Sequence, residues 1–410
     1  MKTKAFFLVV LVFLLALLAF TAAAQEQPAN LVGFVAADSA INVRNRPNGA
    51  VITSLPSNRS VPILEANSDG TWFSVELPDG SAGWVSASLL RVVESAVPAD
   101  LVPITPENVG RLEMITEFAS TLAGGMAFSP DGQMLASYSW QGTVEVYDVR
   151  TKILIATLSH GQNVVTDGAF SSDGSEFASS SFDGSVKIWN TQTWGERTAL
   201  VGHRIGVNGL AYSPDGERLA SIGSDGLVII WNVRTGEREL QLETNADDQL
   251  NDVVFSPDGA FVAVAGEYPR FRVFVWDAAT GTQQWFKSVS SSARLTFSSD
   301  GGTLYVLSYG ATVSGYDVQD GSLTTSFSGV NGNAVVSIDI NPAGTLLATG
   351  VWNPGRFGLI DVASEDILFS DESQDLSRTS AIKVVFSPDG RLLMTSDSDS
   401  VINMWGVRGG

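Results

Sequence analysis

Seven copies of one five-residue phrase recur at nearly constant spacing along this 410-residue chain, and that period constrains the fold more than any other feature. The copies begin at Phe128, Phe170, Tyr212, Phe255, Phe297, Ile340 and Phe386, giving steps of 42, 42, 43, 42, 43 and 46 residues. Phe255-Ser256-Pro257-Asp258-Gly259 is representative. An apolar strand end is followed by Ser, then Pro at a position needing φ near −65°, then Asp and Gly to close a corner. The copy at Ile340 departs furthest, with Asn341 and Ala343 in place of Ser and Asp.

Three residues past each Gly stands an apolar residue (Leu135, Phe177, Leu219, Val262, Leu304, Leu347 and Leu393), so the next strand starts in one register throughout. A third strand then ends in a large apolar residue, usually with Asp or Asn after it. The pairs are Tyr147-Asp148, Trp189-Asn190, Trp231-Asn232, Trp276-Asp277, Tyr316-Asp317, Ile360-Asp361 and, last, Trp405-Gly406. Apolar residues alternate before the first four pairs, as at Val228 and Ile230, which is the signature of a strand. Four short strands per period make one blade of a β-propeller, so seven phrases predict seven blades over residues 109–410. The ring has to close, or its end blades leave open edges. Residues 110–118, with Leu112 and Met114 alternating, are expected to supply the outer strand of the last blade.

These motifs resemble the WD-repeat β-propellers over roughly residues 109–410. The best match runs from Gly202-His203 to Trp231-Asn232. The resemblance implies a buried tetrad of His203, Ser221, Asp225 and Trp231 in the third blade. It implies another of His160, Ser179, Asp183 and Trp189 in the second, whose His sits one residue further from the turn. The other five blades lack the His. Only two histidines exist in the chain, and both fall at these structural positions, which weighs against a general base or a metal ligand.

Residues 31–94 form a separate unit. Ile41-Asn42-Val43-Arg44, Trp72-Phe73-Ser74-Val75 and Gly83-Trp84-Val85-Ser86 are short strands between Asn-Gly, Asp-Gly and Pro-Asp-Gly turns, as in a compact β-barrel. Asn-Val-Arg, the later Trp and Gly-Trp-Val-Ser resemble the bacterial SH3-like domains, which implies contact with cell-wall peptides or glycans, or with a partner protein. Trp84, following a Gly in an apolar strand, is expected in the core. Trp72, beside a turn, fits core and groove equally, and Arg44 reads as a solvated strand charge. Residues 95–108, with Pro98, Pro103 and Pro106, read as an extended linker. The fold class is therefore all-β, a seven-bladed propeller preceded by a small SH3-like barrel.

Lys2 and Lys4 precede an apolar run from Ala5 to Phe20, and Ala22-Ala23-Ala24 offers a cleavage site, the order of a secretory signal peptide over residues 1–24. The alternative is an uncleaved membrane anchor of the same residues. No Cys is present, so a lipoprotein anchor, disulfides and thiolate chemistry are all excluded. Export to the cell envelope or outside the cell is expected. Cleavage would remove Lys2 and Lys4 and take the net charge from −20 to −22. Charge of that sign repels phosphate backbones and anionic lipid, so neither nucleic acid nor a membrane surface is an expected partner.

In the WD-repeat family the residue before the tetrad Asp lines the partner surface. Trp140, Phe182 and Tyr309 hold such positions here, along with Ser224 and Ser398. In blades four and six, irregular loops bring Tyr268, Arg270 and Phe271, and Trp352 and Arg356, to the same rim. Aromatic residues and Arg together have the composition of interaction hot spots, so a protein or peptide partner is expected there. Glycan stacking on Trp140 or Trp352 is the competing reading. A hydrolase or lyase would need an acid pair meeting in the central channel. No nucleophile elbow or calcium-loop spacing is present, so neither catalysis, cofactor nor metal is expected.

Overall fold

The computed structural model describes residues 30–35, 40–120, 124–138, 141–161, 163–244, 248–267, 270–291, 293–308, 312–328, 335–351, 356–371, 381–397 and 401–409. In six of the seven repeat phrases the Ser hydroxyl donates to the Asp two residues on and accepts the amide five residues on, as at Ser256 with Asp258 (2.6 Å) and Phe261 (2.9 Å). Asn341 does the same work in the sixth copy, its Oδ1 accepting the amides of Thr345 and Leu346 at 2.8 and 2.9 Å. The Gly of every phrase has φ between +68° and +73°, a region where a Cβ is strained. These turns also touch each other around the ring. A Cβ added to Gly174 would lie 3.4 Å from Pro130 Cδ, and one on Gly132 would lie 3.6 Å from Pro388 Cδ, which joins the last turn to the first.

Each turn links the two inner strands of a four-stranded antiparallel blade, with strands in chain order from inside to outside. Blades 1 to 6 occupy residues 125–159, 165–201, 207–243, 250–288, 293–328 and 335–370. Blade 7 takes three strands from residues 381–408, and Glu113–Ala119 pairs with Val401–Arg408 to complete it. Between blades, apolar faces pack: Ala220, Ile222 and Ile230 of blade 3 lie in one buried cluster with Leu250, Val253 and Val262 of blade 4. Side chains stitch the innermost strands, with Thr166 Oγ1 donating to Val207 O and Asn208 Nδ2 to Leu250 O, both at 2.7 Å.

The segment read as a linker is shorter than expected. The propeller unit begins at Asp100, not 109. Leu101–Val102 pairs with Val407 and Arg408, and the Ile104 amide donates to Gly390 O at 2.8 Å. Ile104 is 1% exposed and packs with Val109, Trp405 and Val407. Three apolar residues spaced irregularly among prolines carry no period, yet each finds a place against the last blade.

The N-terminal unit is a seven-stranded antiparallel sheet in the order 51–55, 41–44, 82–86, 72–76, 60–66, 31–35 and 90–94. Its core holds Val35, Ile41, Val43, Phe73, Val75 and Val85. Trp84 is not in that core, which corrects the expectation. A Cβ on Gly83 would lie 2.2 Å from Val43 Cγ1, so position 83 points inward, as does buried Val85. Strand alternation then turns Trp84 to the other face, between Arg44 and Ser74 on the neighbouring strands. Trp72 shares that face, two residues from Ser74, and both indoles are half-buried. Arg44 Nη1 donates to Gly49 O at 2.6 Å.

Docking of the 101–112 segment predicts that Ile104→Ala costs about 2–5 kcal/mol, the range for an apolar side chain removed from a closed core. Val201→Ala, on a side chain 72% exposed, is expected to leave the melting temperature unchanged. Equal effects of the two substitutions in calorimetry would show that the segment is not anchored.

Candidate functional site

The rim opposite the repeat turns carries the loops between the second and third strands of each blade and the loops between blades. Blade 3 shows how its shape is held. Trp231 Nε1 donates to Ser221 Oγ (2.8 Å), Ser221 Oγ meets His203 Nε2 (2.9 Å), and His203 Nδ1 meets Asp225 Oδ1 (3.0 Å). With the carboxylate accepting at Nδ1, a neutral ring accepts at Nε2 from the Ser hydroxyl, so the four groups form one directional relay. Asp225 Oδ2 also accepts the Arg204 amide at 2.8 Å. Burial raises the Asp225 carboxyl, but that amide and His203 outweigh it and hold the group below the usual carboxylate range. The tetrad thus fixes the 203–206 loop.

Blade 2 repeats only part of this. His160 Nε2 meets Ser179 Oγ at 2.7 Å and Trp189 Nε1 donates to the same oxygen at 2.9 Å. His160 Nδ1 is 3.9 Å from Asp183, beyond hydrogen-bond reach, and is buried without a partner. Asp183 instead accepts from the amide and hydroxyl of Ser185, at 2.8 and 2.6 Å. The extra residue between His160 and the turn sets the ring back from the carboxylate. Burial pushes the His160 imidazole down to about 4, against the attraction of Asp183.

Blade 1 builds a different network. Tyr147 Oη donates to Glu145 Oε2 at 2.5 Å, and Ser120 Oγ bonds Glu145 and Ser137 at 3.2 Å each. In blade 7, Trp405 Nε1 donates to Thr395 Oγ1 at 3.0 Å. Blades 4 and 5 rely on aromatic packing. Phe274 stacks on Trp276 with ring centres 5.2 Å apart, and Trp285 lies 6.1 Å from Tyr316.

Of the eight rim residues selected from the sequence, Trp140, Tyr268, Tyr309 and Trp352 lie outside the described residues. Arg356 is described only as the first residue of the strand Arg356–Asp361. Phe182 is 47% exposed on the rim of blade 2. Arg270 is exposed and Phe271 half-buried on blade 4, so blade 3 separates them from Phe182. The structure adds Ile205, 56% exposed, and the exposed Arg204 beside it. The two loops interlock. A Cβ on Gly206 would lie 2.7 Å from Phe182 Cδ1, and one on Gly184 would lie 3.3 Å from the Ile205 carbonyl oxygen. Phe182 and Ile205 therefore flank one junction, blade 2 against blade 3. Ile205 was detectable in the sequence as an apolar residue stranded in a loop between Arg and Gly.

Three acids do stand on innermost strands, where a hydrolase would need a pair: Asp167, Asp252 and Asp339. Each accepts one amide on each oxygen, one from its own strand and one from the next blade, which leaves each oxygen a second lone pair. Asp167 takes Gly168 and Leu210, Asp252 takes Val253 and Leu295, and Asp339 takes Ile340 and Phe386, all at 2.7–3.1 Å. Tyr138 of blade 1 donates a further bond to Asp167 at 2.6 Å. They clamp neighbouring blades. Among the described residues no group of three His, Asp or Glu side chains is placed to hold a metal ion.

Because the relay in blade 3 is complete, Asp225→Ala is expected to cost about 2 kcal/mol by orphaning the His203 ring nitrogen and the Arg204 amide. Asp183→Ala should cost well under half of that in the same thermal melts. The depressed His160 predicts a pH effect as well. The unfolded chain takes up its proton near pH 6.5 and the folded ring only near 4, so this residue withdraws up to about 3 kcal/mol as pH falls across that window. His160→Gln should lose that part of the slope relative to the parent protein, and identical slopes would contradict the assignment.

Comparison with known families divides the chain as the geometry does. A model described as a bacterial SH3 domain matches residues 39–91. The WD domain, G-beta repeat model matches 120–148, 152–190, 195–232 and 375–406. A model described as the outer membrane protein assembly factor BamB matches 251–349. Comparison with curated proteins returns no match. The WD matches cover blades 1, 2, 3 and 7, where the aromatic residue ending the third strand bonds a polar side chain. The third model covers blades 4 and 5 and enters blade 6, the region where aromatic packing takes over. The chain is a seven-bladed β-propeller carrying WD repeats, with a bacterial SH3 domain ahead of the ring.

Proposed function

We propose that this is an exported, non-enzymatic binding protein whose tetrad-side rim takes a protein or peptide partner. The observation that carries the reading is the paired exposure of Phe182 and Ile205 across the junction of blades 2 and 3, beside Arg204. The complete relay of blade 3 holds the loop that presents Ile205, Phe182 stands beside it, and apolar side chains fixed in the open are preorganised for burial against a partner, with Arg204 adding a directional contact. The clamping role of Asp167, Asp252 and Asp339 counts against a hydrolytic acid pair in the channel. Export is supported by the charged and apolar order of residues 1–24. The match to a model described as an outer membrane protein assembly factor is in keeping with an envelope location.

The SH3 domain supplies a second contact in this reading, to a cell-wall peptide or glycan or to a partner protein. Half-buried Trp84 and Trp72 on the face away from its core, with Arg44 next to Trp84, support that role. Flat indoles beside a cation fit a sugar ring or a peptide carboxylate.

A Phe182→Asp, Ile205→Asp double variant separates the surfaces. It should melt with the parent protein, since both side chains are exposed, yet fail to retain from envelope extract the protein that the parent retains. Retention of the same protein by both would move recognition off this rim.

A further inference from the structure

A cavity of about 370 Å³ lies among the innermost strands of blades 1, 2, 6 and 7. It opens between the repeat turns, on the rim opposite Phe182 and Ile205. Its walls are mixed, polar and apolar in similar measure, with Met126, Phe128, Phe170 and Phe386 at the strand ends, and its charged lining consists of Asp339 and Lys383. Those two stand on the innermost strands of neighbouring blades, 6 and 7, without forming an ion pair within 4.0 Å. The Lys383 side chain is half-buried, has no carboxylate within 4.0 Å among the described residues, and exerts its charge on Asp339 and on Asp252. Asp339 accepts the Ile340 and Phe386 amides at 2.9 and 2.7 Å. Even so, burial pushes its carboxyl up to about 6, against the pull of the Phe386 amide and of Lys383, so its charge is incompletely compensated.

An acid and a base that line one cavity without meeting, beside an apolar patch of strand-end side chains, define the charge pattern of what fits. A simple cation would confront Lys383, and a simple anion would confront Asp339. We propose that this cavity binds a small zwitterion with an apolar side chain, a free amino acid or a dipeptide. Its ammonium would face Asp339, its carboxylate Lys383, and its side chain the strand-end phenyl rings. The volume is at the lower end of the range for small-molecule sites, which suits a ligand of this size. This site is independent of the partner surface proposed above.

The test is calorimetric titration of the full chain with L-phenylalanine and with Ala-Phe, beside phenethylamine and 3-phenylpropionate, which each keep one of the two charges. The zwitterions are expected to bind and to raise the melting temperature. Each single-charge analogue should bind roughly ten- to a hundredfold more weakly, the worth of one charged hydrogen bond. Lys383→Met keeps the length of the stem and should abolish the preference for phenylalanine over phenethylamine. The analogue series on the parent protein decides the matter even where that variant folds poorly. Equal binding of amine and amino acid would overturn the proposal, as would no binding by either zwitterion at millimolar concentration.

Discussion

Ring closure is the constraint on which the rest of this propeller depends. A blade at either end of an open array would expose a strand edge and one apolar face, and sheets in that state aggregate. Here the edge of Val401–Arg408 is taken by Glu113–Ala119, from the opposite end of the propeller sequence, over six matched positions. Leu101–Val102 extends the same edge by two more. The contact of Pro388 with Gly132 closes the circle of turns at the same seam. Both ends of the propeller are thus spent on one sheet, and the face of every blade has a neighbour.

Within the closed ring the blades are not equivalent. Blade 3 carries a complete relay from Trp231 to Asp225, blade 2 one that stops at His160, and blades 1 and 7 shorter networks. In blades 4 and 5 rings pack there instead, Phe274 stacked on Trp276 and Trp285 tilted against Tyr316 while donating to Val318 O at 2.8 Å. The two solutions exchange directional bonding for area of apolar contact, and a fully buried sheet accepts either. The division has a functional side. The complete relay also holds the loop that presents Arg204 and Ile205, so the blade with the tightest internal bonding is the one that shapes the proposed partner surface.

Much of the fold was legible because the repeat phrase is a local chemical device. Ser, Asp and Gly at fixed spacing bond one another whatever surrounds them, so Ser256, Asp258 and Gly259 declare a hairpin from sequence alone. The tetrad positions were legible for a similar reason, through fixed offsets to Trp189 and Trp231. The difference between Asp183 and Asp225 was visible only as a one-residue offset, and its consequence needed the distance. Ile104 was illegible, because docking against Trp405 depends on a partner some three hundred residues away and leaves no period. The orientation of Trp84 turned on Gly83 pointing inward, which a Gly in a strand does not announce. Asp167, Asp252, Asp339 and Lys383 did carry a signal, a charge inside an otherwise apolar innermost strand.

In the proposed reading the SH3 domain and the ring both make contacts, and the most direct test asks which rim of the ring does so. A photo-crosslinking residue placed at position 205 reports on the tetrad side, and one at exposed Gln192 reports on the side of the repeat turns. Irradiation in the presence of envelope extract should join a protein to position 205 and leave position 192 free. A product formed from position 192 alone would contradict the account and place the partner on the opposite rim.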